Sequence, residues 1–357
     1  MFNIVRNDSV TYPIGLTLAG AGTYAPRLRR PSSELDSVYG QAEGWTQAKF
    51  GIAERGVAAR DETTSFMAAR ACRAALDEAG WGDDFDVIVG GCGVMEQPIP
   101  GTSVLVQNAL GLHKSGIPCF DVNMTCLSFL SALDLVSLGF KAGRWRRALI
   151  FSSDIASAGL DFGEPDMSAI FGDGAAAVCV EAPMDEATMD EAPMDEAPMD
   201  KGGPAILACR FVTLSSGKDL AHLRSGGTRI RIEDGIAALQ AGAHFHMDAF
   251  GIFKAAGRRL PELIKQTVDS AGLTLDQIDT VIGHQASKPG LEYVRHIIGT
   301  RPERVVDIFS HTGNQIAASL PTALCAARAE GRLAPGSHAL LVGTSAGVSM
   351  GAMVMRC

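Results

Sequence analysis

Apolar runs of strand length alternate with longer stretches of helical spacing along most of the chain. Asp86–Cys92, Arg147–Ser153, Thr280–Gly283 and Ala339–Thr344 are nearly continuous in Val, Ile, Leu and Gly, the signature of strands covered on both faces. Between them Glu62–Ala79, Leu127–Ala142, Asp248–Ala271 and Gln315–Ala329 place apolar residues at the three- and four-residue intervals of helices. Doubly covered strands alternating with helices predict a layered α/β protein. A length of 357 residues points to two structural units of that kind, with one large domain as the alternative.

One segment breaks the pattern. From Glu181 to Asp200 the chain repeats a five-residue acidic unit four times, EAPMD EATMD EAPMD EAPMD. A period of five matches neither a helix nor a strand, and three prolines with dense charge argue for a solvated loop. Residues 181–202 are therefore expected to be a disordered insert between an N-terminal half, 1–180, and a C-terminal half, 203–357. The repeat between the halves is expected in architecture, with little of it visible in the sequence.

Composition narrows the function classes. The formal net charge is −9, and the insert supplies eight negative charges of it, so the body is close to neutral and carries no basic tract for nucleic acid. Eight cysteines lie scattered, without a CxxC pair or a Cys/His spacing suited to zinc. No apolar stretch approaches the roughly 18 residues of a membrane span, and the first residues lack the pattern of a secretory leader. The expectation is a cytoplasmic protein with reduced thiols and no metal.

Four places carry candidate chemistry. Cys126, in FDVNMTCLSFLSAL, lies where a short strand gives way to a helix; free N–H groups and the helix dipole at such a start favour a thiolate and can hold an oxyanion. His284 ends the buried run DTVIGHQAS, and carboxyl ends of strands in open α/β sheets collect ligands. Asn314, in HTGNQIAASLP, precedes a helix of small residues. The run Gly343–Gly347, in LLVGTSAGVSMGA, is a small-residue turn whose N–H groups can face a substrate. Taken singly, each has a plainer reading: a core cysteine, a lone histidine, an N-cap asparagine, a hairpin turn.

In this order and spacing, DVNMTC, SSD at 152–154, FGDGAAA at 171–177, GHQAS, HTGN with AASLP, and GTSAGVSMGA resemble the ketoacyl synthase III branch of the thiolase superfamily. The resemblance covers nearly the whole chain outside the insert. It implies a layered αβαβα fold of two pseudo-repeated halves, and a catalytic triad of Cys126, His284 and Asn314. The backbone N–H groups of Cys126 and Ala346 would form an oxyanion hole. A thiolase would carry a second catalytic cysteine in the C-terminal loop, and residues 343–351 hold none. The implied reaction loads an acyl group onto Cys126 and then joins it to a malonyl thioester with loss of carbon dioxide. Two rival readings share the first half: head-to-head condensation of two acyl thioesters, and acyl transfer to a hydroxyl or amine.

The resemblance also implies where substrates lie. Trp45 matches a tryptophan that stacks on the adenine of coenzyme A, with Lys49 where an arginine is usual, which weakens that clamp. Lys254 matches a carrier-protein contact, and Ser287 replaces the usual asparagine after HQA. Ile99 matches a residue that crosses a homodimer interface to cap the partner's acyl pocket, where head-to-head enzymes carry a glutamate. The implied partners are acyl-CoA or acyl carrier protein and a second copy of the chain, with neither nucleic acid nor membrane. No cofactor is implied beyond the thioester substrates themselves.

Overall fold

The computed structural model describes residues 12–183 and 202–357. Nearly all of the acidic insert, including its expected solvated loop, lies outside the described residues. Fourteen strands are present among those described: β1 (Ile14–Gly15), β2 (Thr17–Tyr24), β3 (Leu28–Pro31), β4 (Glu54–Val57), β5 (Val87–Gly90), β6 (Cys119–Asp121), β7 (Arg147–Asp154), β8 (Gly174–Glu181), β9 (Ala205–Thr213), β10 (Ala221–His222), β11 (His246–Met247), β12 (Thr280–Gly283), β13 (His338–Ser345) and β14 (Ser349–Arg356). Two five-stranded sheets hold most of them, in the orders β2-β8-β7-β5-β6 and β1-β9-β14-β13-β12. Each sheet has a parallel core, β6-β5-β7 or β12-β13, flanked by antiparallel strands.

The continuous apolar runs are explained by what lies on their two faces. Val87 and Val89 face inward with Ala148 and Ile150 onto the helices Ser128–Lys141 and Ser319–Ala329, while Ile88 and Leu149 face outward onto the helix Thr64–Ala79. In the second sheet Ala339 and Leu341 face the same central helices, and Leu340 and Val342 meet Leu263 and Ile264 of the outer helix Leu260–Ser270. Helix, sheet, helix pair, sheet and helix therefore stack as five layers. The central cluster draws on both halves, so truncating Leu133 or Leu324 there is expected to cost about 2–5 kcal/mol.

Three expectations change. Strand β1, from the N-terminal half, pairs with β9, so the halves exchange a strand at their border. The expected helix Asp248–Ala271 divides into Ala249–Gly257 and Leu260–Ser270, because Pro261 has no N–H to donate and is tolerated only in the first turn of a new helix. The small-residue turn is also shorter than expected, since β13 runs on to Ser345 and pairs with Ser349.

Little of the repeat shows in the sequence, as expected, until the structure supplies the register. RALIFSSD in β7 corresponds to HALLVGTS in β13, and at the same spacing NMTCLS at 123–128 corresponds to NQIAAS at 314–319. The local bonds repeat as well. Thr125 N–H donates to Asn123 Oδ1 at 3.0 Å and Met124 N–H to Ser128 Oγ at 2.8 Å. In the other half Ile316 N–H donates to Asn314 Oδ1 at 2.9 Å and Gln315 N–H to Ser319 Oγ at 2.8 Å. Thr125 and Ile316 both adopt left-handed backbone, with φ of 50° and 53°.

Candidate active site

Cys126 sits in the tight turn Thr125–Leu127, between β6 and the helix Ser128–Lys141. A β-branched residue at positive φ is uncommon, and here Thr125 is the hinge that turns the chain and presents Cys126 at the helix start. The hydroxyl of Ser345 bridges the two peptide groups flanking Thr125. It donates to Met124 C=O at 2.7 Å and accepts Cys126 N–H at 3.1 Å. Of the two N–H groups expected to form the oxyanion hole, that of Cys126 is thus shared with Ser345, whereas that of Ala346 faces the Cys126 sulfur. This alters the expectation at one donor.

The thiol does not rest as a thiolate. Burial, reinforced by the negative charge of Asp154, pushes the Cys126 thiol up to about 12. Ser345 and the N–H groups of Cys126 and Ala346 oppose that rise. The expected helix-start stabilisation is therefore present but outweighed by burial. Burial also pushes Cys72, Cys92, Cys179, Cys209 and Cys325 upward, so the turn and its facing N–H groups, rather than acidity, set Cys126 apart.

His284 follows β12, and its N–H donates to Val342 C=O of β13 at 2.8 Å. Gly343 makes room for it: a Cβ there would lie 2.8 Å from His284 Cβ and 3.1 Å from Leu127 Cδ2, so this glycine is where the histidine and the cysteine turn meet. Burial lowers the His284 pKa to about 4, which keeps the imidazole neutral. Its Nδ1 is buried and has no hydrogen-bond partner among the described residues.

Asn314 is held from both sides. Its N–H donates to Ile170 C=O at 2.7 Å and its C=O accepts Gly172 N–H at 3.1 Å, a parallel bridge to the FGDG segment. Gly172 permits this approach, since a Cβ there would fall 2.1 Å from Thr312 C=O. The side-chain Oδ1 is taken by Ile316 N–H, so the Nδ2 amide is the end left to donate. The turn Ile316–Ala318, which follows Asn314, packs directly on the turn of Cys126, and Gly343 brings His284 to that same turn.

Asp154 ends β7 and the run SSD, and no role for it is predicted from the sequence. Its fully buried carboxylate accepts four backbone N–H groups: Gly93 at 2.9 Å and Val94 at 2.8 Å from one half, Ala317 at 3.1 Å and Ala318 at 3.2 Å from the other. Burial raises its pKa to about 7 against the pull of those donors. It corresponds in the repeat to Ser345, as Ala317 corresponds to Cys126.

Cys126 packs on the edge of an apolar cluster. Ile52, Leu160, Phe171, Phe309 and Ile316 belong to that cluster, and Phe50, Met167, Phe245 and Met247 pack on its edge as Cys126 does. Met167, Phe245 and Met247 also border an adjoining cavity of about 890 Å³, whose remaining wall includes Asp161, Glu164, Asp166, Asp248, His222 and His244.

The expected substrate contacts fare unequally. Lys49 Nζ lies 4.8 Å from the centre of the Trp45 ring and pairs with Asp166 at 2.5 Å, so the indole face meant for an adenine is already shared with a cation. Lys254 is exposed on the helix Ala249–Gly257. Ser287, expected beside the substrate, caps a helix: its Oγ accepts Gly290 N–H at 3.2 Å at the start of Lys288–Ile298. Ile99 is 86% exposed, beside exposed Met95. Glu96 accepts Ser65 N–H at 2.6 Å and is thereby tied to the helix Thr64–Ala79.

The chain is similar to known proteins over nearly its whole length. A family model described as 3-oxoacyl-(acyl-carrier-protein) synthase III matches residues 120–194, and its C-terminal counterpart matches residues 268–357. A β-ketoacyl-(acyl-carrier-protein) synthase III of Bradyrhizobium diazoefficiens is 31% identical over 341 residues, covering 94% of this chain and 97% of its own. The protein of the same name from Rhodospirillum rubrum is 31% identical over 343 residues, covering 95% and 98%. The crystal structure of a 3-oxoacyl-(acyl carrier protein) synthase III from Pseudomonas aeruginosa superposes with a TM-score of 0.83 at 27% identity, over 96% of this chain and 98% of that one.

Proposed function

Given that the chain belongs to the 3-oxoacyl-(acyl-carrier-protein) synthase III family, we propose that it is an acyltransferase that loads an acyl group onto Cys126 and condenses it with a malonyl thioester. The observation that carries this reading is the meeting of three groups. These are a cysteine on a left-handed turn with Ala346 N–H facing its sulfur, a neutral histidine with an unpartnered buried nitrogen, and an asparagine fixed through its oxygen.

In the first step the sulfur attacks the acyl thioester, the Ala346 N–H meets the developing oxyanion, and the donor's thiolate leaves with the cysteine proton. In the second, the carbon–carboxylate bond of the malonyl group breaks, and its electron pair becomes an enolate facing His284 and Asn314. Neutral donors suit a charge that exists only after carbon dioxide has left. The enolate carbon then attacks the acyl cysteine, giving a 3-oxoacyl thioester and freeing Cys126.

Several observations support the finer parts. Lys49 on the Trp45 ring competes with an adenine for the indole face, so a carrier-protein donor is favoured over coenzyme A, with Lys254 among its contacts. Exposed Ile99 and Met95 support a homodimer in which each copy covers the other's loop. The tie between Glu96 and Ser65, with isoleucine at 99, leaves no free carboxylate there for head-to-head condensation. The free cysteines suit a reducing cytoplasm.

Incubating the enzyme with an acyl thioester, alone and then with labelled malonyl thioester, tests the reading. A single acyl adduct on Cys126 is expected, followed by carbon dioxide release in step with product. Product formed without malonate, or acyl passed to an alcohol or amine, would replace it with one of the rival activities.

A further inference from the structure

The hydroxyl of Ser345 satisfies a donor and an acceptor on either side of one left-handed residue, and a bond between those two positions fixes the turn more directly than packing can. It comes from the end of β13, 219 residues away from Cys126 in sequence, and is buried. The corresponding turn in the other half has the same backbone form at Ile316, but there the following N–H groups are gripped by a carboxylate. A carboxylate in the place of Ser345 would set a charge beside the sulfur and hold its N–H permanently. A hydroxyl holds the same N–H at a like distance but without a charge, hence less strongly, and can release it.

Building on the assignment of Cys126 as the nucleophile, we propose that Ser345 is a positioning residue for acyl loading: its hydroxyl clamps the left-handed Thr125 turn and yields the Cys126 N–H to the oxyanion when the acyl group arrives. No bond to Ser345 forms or breaks in this step. Its O–H keeps donating to Met124 C=O while its lone pair gives up the Cys126 N–H. The direction in which Ser345 moves the thiol, downward, agrees with this role.

The test is single-turnover acylation followed by intact mass spectrometry on wild type, Ser345→Ala and Ser345→Thr, with loading measured across pH. Loading by Ser345→Ala is expected to fall by about tenfold or more, with its pH–rate curve displaced to higher pH. Ser345→Thr keeps the hydroxyl and should recover most of the rate. Thr125→Gly supplies a second handle, because glycine occupies positive φ without strain and should partly repair loading in the Ser345→Ala background. Unchanged loading and an unchanged curve in Ser345→Ala would overturn the proposal. So would a defect that glycine at 125 deepens, or one that tracks a lowered melting temperature with no change in the pH curve. If wild type itself acquires no adduct on Cys126, the nucleophile assignment fails, an outcome distinct from equal loading by wild type and variant.

Discussion

The two halves build the same turn and put it to different uses. In the N-terminal half the turn carries Cys126, its following N–H is capped by the neutral Ser345, and Ala346 adds a further N–H at the sulfur. In the C-terminal half Ala317 stands where the cysteine would be, and the charged Asp154 takes the N–H groups of Ala317 and Ala318. One nest is kept open for a reacting atom, and its twin is closed to anchor Asn314 three residues upstream. The strands differ in the same sense, because His284 follows β12 where Gly91 follows β5; both N–H groups bond the neighbouring strand, Gly91 to Phe151 C=O and His284 to Val342 C=O. Duplication thus supplies the scaffold, and a few substitutions divide nucleophile from enolate donors.

The sharpest way to break the comparison is to remove its one reactive atom. Cys126→Ala should lose acyl loading and turnover by a factor on the order of 10³ or more, with no adduct by mass spectrometry. Persistence of an acyl adduct in that variant would move the nucleophile to another of the eight cysteines.

Next in size are the enolate donors. His284→Ala and Asn314→Ala should each lower carbon dioxide release by about 10²–10³, while loading stays within about tenfold, because neither side chain faces the acyl oxyanion. With its pKa lowered to about 4, His284 stays neutral from pH 5.5 upward, so it should impose no limb on the condensation rate between there and pH 8. A limb near the ordinary histidine range that vanished in His284→Ala would show that the imidazole is charged in the working enzyme.

Much of this was legible in the sequence because the chemistry falls on continuous stretches. DVNMTC, GHQAS and HTGN each place a catalytic side chain at a strand end or helix start, and continuous apolar runs such as Thr280–Gly283 state that both faces are covered. The caps were not legible. Ser345 reaches Cys126 across 219 residues and Asp154 reaches Ala317 across 163, and no local pattern records such a pairing. The repeat itself was hidden because few of its matched positions keep the same residue. Asn123 with Asn314 and Ser128 with Ser319 persist, since each satisfies an N–H that a left-handed turn leaves open, while Thr125 and Ile316, whose side chains accept none of these N–H groups, do not match. The N-cap role of Ser287 was missed because a motif comparison gives it a place beside the histidine without saying where its oxygen points.

The charged cap should show itself in stability. Asp154 has a folded pKa near 7 against an ordinary value of 3.8, so the folded protein binds more protons than the unfolded chain between those limits. Its contribution is present in full below about pH 4 and is lost as pH rises through 7. Asp121, Asp134 and Asp173 shift the same way, so the informative quantity is the difference between wild type and Asp154→Asn. Asparagine cannot accept at its nitrogen, and the variant should melt several degrees lower at pH 5, with a smaller deficit at pH 8. A deficit independent of pH would mean that the carboxylate does not titrate in this window.

The smallest effect is expected where the comparison is tested in reverse. In a Cys126→Ala background, Ala317→Cys places a thiol on the turn that matches the catalytic one, with the same left-handed residue before it and a helix after it. That thiol should nonetheless remain unacylated. Asp154 holds the N–H that an oxyanion would need, its charge opposes a thiolate, and Ala317 is fully buried, away from any thioester. The added sulfur should cost roughly 1–3 kcal/mol through overpacking, so a melting curve must first show that the variant is folded. Adding Asp154→Ser would copy the cap of the other half and remove the charge, yet burial should still keep the thiol silent. An acyl adduct on the residue introduced at 317 would show that a left-handed turn ahead of a helix confers reactivity by itself. The division of labour would then rest on the absence of a second cysteine, and not on the two caps.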